Sequence, residues 1–248
     1  MTEAQDTVRL WLVPDQRSGR APAELLAVLD PGERLRAEAY RSAVDRRRFV
    51  LAHAAVRCIL ARRLGVGPEE IRWRRGPHGK PELAGRCTGV EVNLSHSDAV
   101  AMVALSASRR VGVDVQRVLP RLDATAMAER YFPPEEARFV RAAADPDARA
   151  DRFARLWARK EALVKAHGGR LTQGLRIPLH DSSTGSGSHP DDDWSRGYRV
   201  TDVPAPRGYR AAVALSGTGA FRVALHRWTW PDRSGQPADP TRARTRNT

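Results

Sequence analysis

Lysine is nearly missing from this chain: of 42 basic residues only three are lysine, at positions 80, 160 and 165. An arginine-rich sequence that keeps the compact, strongly hydrated ammonium at so few places directs attention to those places. Cysteine is as scarce. Cys58 falls in a helix-like stretch and Cys87 in a loop-like one, which makes neither a disulfide framework nor a metal-ligand spacing. No apolar run approaches membrane-spanning length, and the opening Met1-Thr2-Glu3-Ala4-Gln5-Asp6 lacks the basic and apolar regions of a secretory signal. A cytoplasmic protein with no membrane partner is therefore expected. A Walker-type phosphate loop, a dinucleotide fingerprint and a Gly-x-Ser-x-Gly elbow are also missing, which removes three common routes to nucleotide or acyl chemistry.

What is present can bury a core: 248 residues, 41% of them apolar, suffice for one large domain or two small ones. The formal charge of +13 sets up a field that steers acidic partners, polyanionic ligands or nucleic acid without choosing among them. Part of it simply follows the arginine-, alanine- and glycine-rich composition. Nucleic-acid binding would rest on charge alone, since no aromatic-basic module accompanies it, and none is expected.

Periodicity organises the chain. Val8 to Val13 alternates as a strand, Pro22 to Leu29 reads as a short helix, and Asp30-Pro31-Gly32-Glu33 is a helix-start signal. Asp45 to Leu64 carries Phe49, Ala52, Val56, Ile59, Leu60 and Leu64 at helical spacing and stops at Gly65. Ile71 to Arg74 reads as a strand, Gly76 to Pro81 as a tight loop, and Val92 to Leu105 as two strands around Ser95-His96-Ser97-Asp98. Val111 to Val115 is a further strand, followed by helices over Ala124 to Tyr131, Pro134 to Ala144 and Asp151 to His167. Strands are expected near Tyr198 to Thr201, Tyr209 to Leu215 and Phe221 to Trp228. Residues 181–193, rich in Gly, Ser and Asp, read as a mobile loop and 231–248 as a disordered tail. The pattern is α+β, with a boundary near Ser108 between segments 1–108 and 109–230.

Two stretches can carry chemistry. In Val111-Gly112-Val113-Asp114-Val115-Gln116 the valines share one strand face and Asp114 and Gln116 the other, so two oxygen donors converge; Gly112 would let a ligand approach the backbone. Read alone, that strand fits an ordinary edge strand with a solvated Asp better. In the helix after Asp151, Trp157, Glu161 and Lys165 lie four apart along one ridge. A routine surface ion pair fits poorly there, because Leu156, Trp157, Leu163 and Val164 make the surroundings half-apolar. Lys80 in Gly79-Lys80-Pro81 and Lys165 suit phosphate binding, to which Ser95 and His96 add a hydroxyl and an imidazole. A Ser95-His96-Asp98 triad is disfavoured, since neighbours on extended backbone point to opposite faces.

In order, Gly79-Lys80-Pro81, Asn93-Leu94-Ser95-His96-Ser97, Gly112-Val113-Asp114-Val115 and Trp157-x-x-Lys160-Glu161-Ala162-x-x-Lys165 resemble the signature of Sfp-type 4′-phosphopantetheinyl transferases. The likeness runs from about Pro31 to Leu175 and includes the arginine-rich segment before the first long helix. It implies a pseudo-twofold monomer of two similar α+β halves that moves phosphopantetheine from coenzyme A to a serine of an acidic apo carrier protein. By the same resemblance the reaction uses Mg²⁺ and leaves 3′,5′-ADP.

By the same resemblance Asp114 and Glu161 hold the metal, and Glu161 accepts the serine proton. Lys165, Lys80 and His96 meet the phosphates, Ser95 and Arg75 lie in coenzyme-binding segments, and Arg36 and Arg48 face the nucleotide end. Lys160 and Trp157 are left to packing and local ion pairing. One departure stands out: where the family strand usually reads Asp-x-Glu, this chain has Asp114-Val115-Gln116, a third oxygen without charge. Two other readings compete, a basic nucleic-acid-binding module without catalysis and a coenzyme A-binding family member without turnover.

Overall fold

The computed structural model describes residues 7–15, 22–76, 79–179 and 197–230, so the expected loop at 181–193 and tail at 231–248 lie outside the described residues. The first sheet has the order β4-β5-β1-β9, built from β1 (Thr7–Pro14), β4 (Glu91–Ser97), β5 (Val100–Ser106) and β9 (Arg222–Arg227). The second has the order β6-β8-β7, from β6 (Val111–Arg117), β7 (Tyr198–Val203) and β8 (Tyr209–Ser216). A short ribbon of β2 (Trp73–Arg75) and β3 (Pro81–Leu83) stands beside them. The α+β class read from the sequence is the observed one.

Strand alternation builds the layers. On β5, Ala101, Val103 and Leu105 face a core shared with Val56, Ile59 and Leu60 of α3 (Ala43–Leu64), while Val100, Met102 and Ala104 face the second sheet. On β6, Val111, Val113 and Val115 enter that same inter-sheet core, as the sequence pattern implied. The opposite face of the second sheet packs on α6 (Pro146–His167), with Ala158, Ala162 and Ala166 against Ala212 and Ala214. The order is thus helix, sheet, sheet, helix. Each outer helix is 22 residues long and ends on a left-handed glycine, Gly65 and Gly168.

Two helix boundaries differ from the sequence reading, and the last strand takes a pairing that the reading left open. α6 begins at Pro146 rather than Asp151, because Asp145 caps it through Ala148 N and Pro146 fits the first turn. The helix starting at Pro134 stops at Arg141. β9 pairs in parallel with β1, and Trp228 packs in the core beside α3, so the chain's last described strand completes the first sheet.

The remaining helices are α1 (Pro22–Ala27), α2 (Pro31–Glu38), α4 (Ala124–Tyr131), α5 (Pro134–Arg141) and α7 (Leu171–Gly174). α2 opens with a reciprocal box between Asp30 and Glu33, and the fully buried Arg57 of α3 grips both carboxylates, at 2.6 Å and 2.5 Å. α5 is tied in by a buried Lys160–Glu136 pair at 2.6 Å. Trp157 packs on Phe153 and Phe132. Lys160 and Trp157 therefore do the packing expected of them.

Candidate active site

Gly112 brings the site together. A Cβ there would overlap the Ala162 carbonyl oxygen and the Ala166 amide of α6. The space expected for a ligand is filled by a helix, and the glycine serves close packing instead. That contact sets the ridge of Glu161 and Lys165 directly over the β6 face bearing Asp114.

Asp114 is buried, at 4% exposure, so it is not the solvated edge-strand residue its flanks alone suggest. Its Oδ1 accepts from Ser95 Oγ at 2.7 Å and from Lys165 Nζ at 2.6 Å, and Lys165 Nζ also donates to Ser95 Oγ at 3.0 Å. Burial pushes the Asp114 carboxyl above its usual range, against the pull of Lys165 and Ser95. Its second oxygen, Oδ2, is buried without a hydrogen-bond partner. An orphaned carboxylate oxygen in a cationic setting is a place for a cation or a donor.

Glu161 is half-buried, and its carboxyl is pushed up first by burial and further by Asp114, with Lys165 opposing. The two carboxylates therefore lie close enough for their charges to repel, which a shared divalent ion would relieve. Gln116 is half-exposed on the same face as Asp114, with Nε2 donating to the Arg117 carbonyl at 3.3 Å. Among the described residues no cluster of three or more His, Cys, Asp and Glu side chains forms a ready metal cage. Two carboxylates with the rest of the shell left to substrate oxygens and water is the pattern magnesium uses.

His96 sits next to Lys165 and Asp114 electrostatically; its ring is open to the cleft on one side, yet desolvation by the protein on the other, and then Lys165, hold its imidazole below its ordinary value. It also lines a cleft of about 890 Å³ together with Arg36, Tyr40, Phe49, His53, Trp73 and Arg75. Arg36 and Arg75 are exposed there, and the Arg36 guanidinium lies 5.4 Å from the Phe49 ring centre. The carboxylate cluster and a basic, aromatic-walled cleft thus meet at His96.

Two expected contacts have other partners here. Lys80 donates to the Ala166 carbonyl at 3.1 Å and to the Val111 carbonyl at 3.5 Å, where its charge also complements the C-terminal end of α6. Arg48 is held between Asp15, at 3.1 Å, and Asp98, at 2.7 Å. Asp98 serves Arg48 and Arg117 while Ser95 serves Asp114, so no Ser-His-Asp triad forms.

Sequence reasoning missed His53, which points one helical turn beyond Phe49 into the same cleft wall; its ring stands edge-on to Phe49 at 3.9 Å. Burial, with Arg36 adding to it, lowers its pKa to about 3. The four-residue spacing from Phe49 was the available signal. It also missed Arg57, for which no local pattern speaks, since its partners lie 24 and 27 residues away.

Residues 110–214 match the family model described as the 4′-phosphopantetheinyl transferase superfamily. A Synechocystis relative, named only provisionally as a 4′-phosphopantetheinyl transferase, is 31% identical over 79% of this chain and 79% of its own. The 4′-phosphopantetheinyl transferase HetI of Nostoc is 34% identical over 70% of this chain and 73% of its own. The 4′-phosphopantetheinyl transferase Sfp of Bacillus subtilis is 27% identical over 64% of this chain and 66% of its own.

Proposed function

The chain belongs to the 4′-phosphopantetheinyl transferase superfamily, and from that premise we propose that it transfers phosphopantetheine from coenzyme A to a serine of an apo carrier protein. The observation that carries this is the cluster of buried Asp114 and Ser95 with half-buried Lys165, with Glu161 beside it, opening through His96 onto a cleft walled by Arg36 and Arg75. A diphosphate placed there has cations on one side and two carboxylates for a metal on the other.

The serine Oγ forms a bond to the β-phosphorus, the bond from that phosphorus to the bridging oxygen breaks, and the electron pair leaves on 3′,5′-ADP. Magnesium, when bound, supplies positive charge against the diphosphate; Asp114 and Glu161 would hold it, with Gln116 a neutral third oxygen on the same face. Glu161 accepts the serine proton, a role suited to a carboxylate whose affinity for protons is raised. Lys165, already aimed at the cluster, and His96 face the negative charge that grows on the leaving side. Lys80 and Ser95 support the phosphate end, and Arg36, Arg75 and Arg48 the nucleotide end.

The reading extends to the whole molecule as a monomer of two pseudo-twofold halves, 1–108 and 109–230, with β9 of the second segment crossing back to complete the first sheet. Its positive field suits an acidic carrier. The reading is of a cytoplasmic enzyme without a membrane partner; among the described residues no helix is long and apolar enough to cross a membrane. Calorimetric titration with coenzyme A, with and without Mg²⁺, tests the binding half of the proposal. Tight, metal-enhanced binding is expected, whereas a chain that binds DNA with a steep salt dependence and ignores coenzyme A would be a basic binding module instead.

A further inference from the structure

β6 is an edge strand, and an edge strand leaves every second amide unpaired. Here those amides are taken by side chains. Val113 N donates to Asn93 Oδ1 at 2.9 Å, Val115 N to Ser95 Oγ at 3.3 Å, and Arg117 N to Ser97 Oγ at 3.0 Å. The donors are two residues apart, the acceptors are two residues apart, and each pair is separated by 20 positions. β4 therefore runs alongside β6 as a pairing strand whose acceptors are side-chain oxygens instead of main-chain carbonyls. The ladder is closed at both ends, by Lys80 Nζ on the Val111 carbonyl and by Arg117 Nη1 on Asp98 Oδ2 at 2.7 Å.

We infer that this ladder is the device that positions Asp114, with Ser97 and Asn93 as positioning residues for the metal-holding carboxylate. Asp114 lies between Val113 and Val115, so both of its neighbouring amides are fixed to β4. β4 also carries Asn93, Leu94 and His96 of the cleft wall. Main-chain pairing would fix the two strands as well, but it would leave Ser95 no reason to approach β6. With side-chain rungs, one hydroxyl both accepts from Val115 N and donates to Asp114 Oδ1, tying strand register to carboxylate orientation. The grip on the donor nucleotide and the placement of the carboxylate are thereby set by one strand.

Ser97 gives the clean test, because Asn93 lines the cleft and Ser95 touches Asp114. The inference rests on the transferase reading only for its metal arm. Hydrogen exchange of the Val113, Val115 and Arg117 amides is read first. Slow exchange is expected in the parent chain, with Ser97→Ala speeding Arg117 and Val115 by about tenfold and Ser97→Thr, which keeps the hydroxyl, restoring protection. Fast exchange of all three in the parent would remove the ladder, whatever the chain's activity. The second reading is manganese binding to the protein with coenzyme A, followed by calorimetry. Ser97→Ala should weaken it about fivefold with metal-free coenzyme A affinity unchanged, and Ser97→Thr should recover it. Faster exchange with manganese affinity unchanged in Ser97→Ala would leave the ladder as glue between sheets and overturn the positioning role. A parent that takes up no manganese would overturn it together with the transferase reading.

Discussion

Lys165 Nζ lies 2.6 Å from Asp114 Oδ1, and this pair links the last turn of α6 to the edge strand beneath it. Asp114 is buried while Lys165 keeps 27% of its side chain exposed, so the lysine brings charge to a carboxylate that water cannot reach. Removing only the lysine leaves the carboxylate without compensation. Lys165→Met should cost about 3 kcal/mol of stability in chemical denaturation, the usual scale for breaking a largely buried pair. Adding Asp114→Asn should recover most of that stability and none of the turnover.

Glu161 should separate chemistry from binding. Its carboxylate acts on the serine proton and the metal, which matter mainly in the transition state. Glu161→Gln is expected to lower turnover by about a hundredfold or more while metal-free coenzyme A affinity changes less than about threefold. Near-normal turnover in that variant would assign the ridge of α6 another role.

Gln116 shares its strand face with Asp114 and is half-exposed, so a charge is tolerated there. Gln116→Glu should lower the Mg²⁺ concentration for half-maximal activity about tenfold, which corresponds to ~1.4 kcal/mol. Superimposable Mg²⁺ titrations of parent and variant would remove Gln116 from the metal's surroundings.

Gly112→Ala puts a methyl group into main-chain atoms of Ala162 and Ala166, which cannot turn away as a side chain could. A cost of about 3 kcal/mol or more is expected, together with loss of turnover, because Glu161 and Lys165 precede those two residues on the displaced helix. Thermal melts and activity on the same preparation check both parts.

His53 should make the fold acid-sensitive. Its pKa falls from 6.5 to about 3 on folding, so between those values the unfolded chain binds a proton that the folded chain refuses. The stability linked to this group is present above pH 6.5 and is lost as pH falls towards 3, at about 1.4 kcal/mol per pH unit. His53→Phe should reduce proton uptake on unfolding at pH 5 by close to one proton. An unchanged uptake would mean that the imidazole titrates normally.

Much of this was legible before any coordinates. Period-two alternation put Val111, Val113 and Val115 on the core side and left Asp114 and Gln116 together, and the four-residue spacing joined Glu161 to Lys165. Local caps marked α2 and the end of α3. What stayed hidden depends on contacts far apart in sequence. The separation of 86 positions from Lys80 to the Ala166 carbonyl concealed its place at the end of α6, and Gly112 could not announce whether a ligand or a helix would come close. The parallel pairing of β9 with β1 follows from sheet topology, which strand periodicity does not encode.

The central claim is most directly tested by incubating the protein with coenzyme A, Mg²⁺ and a panel of purified apo carrier proteins, read by intact mass. The account predicts that at least one carrier gains the mass of a single phosphopantetheine on its serine, that 3′,5′-ADP appears in equal amount, and that EDTA stops both. No mass gain on any carrier, despite measured coenzyme A binding, would contradict it and leave a coenzyme A-binding protein without turnover.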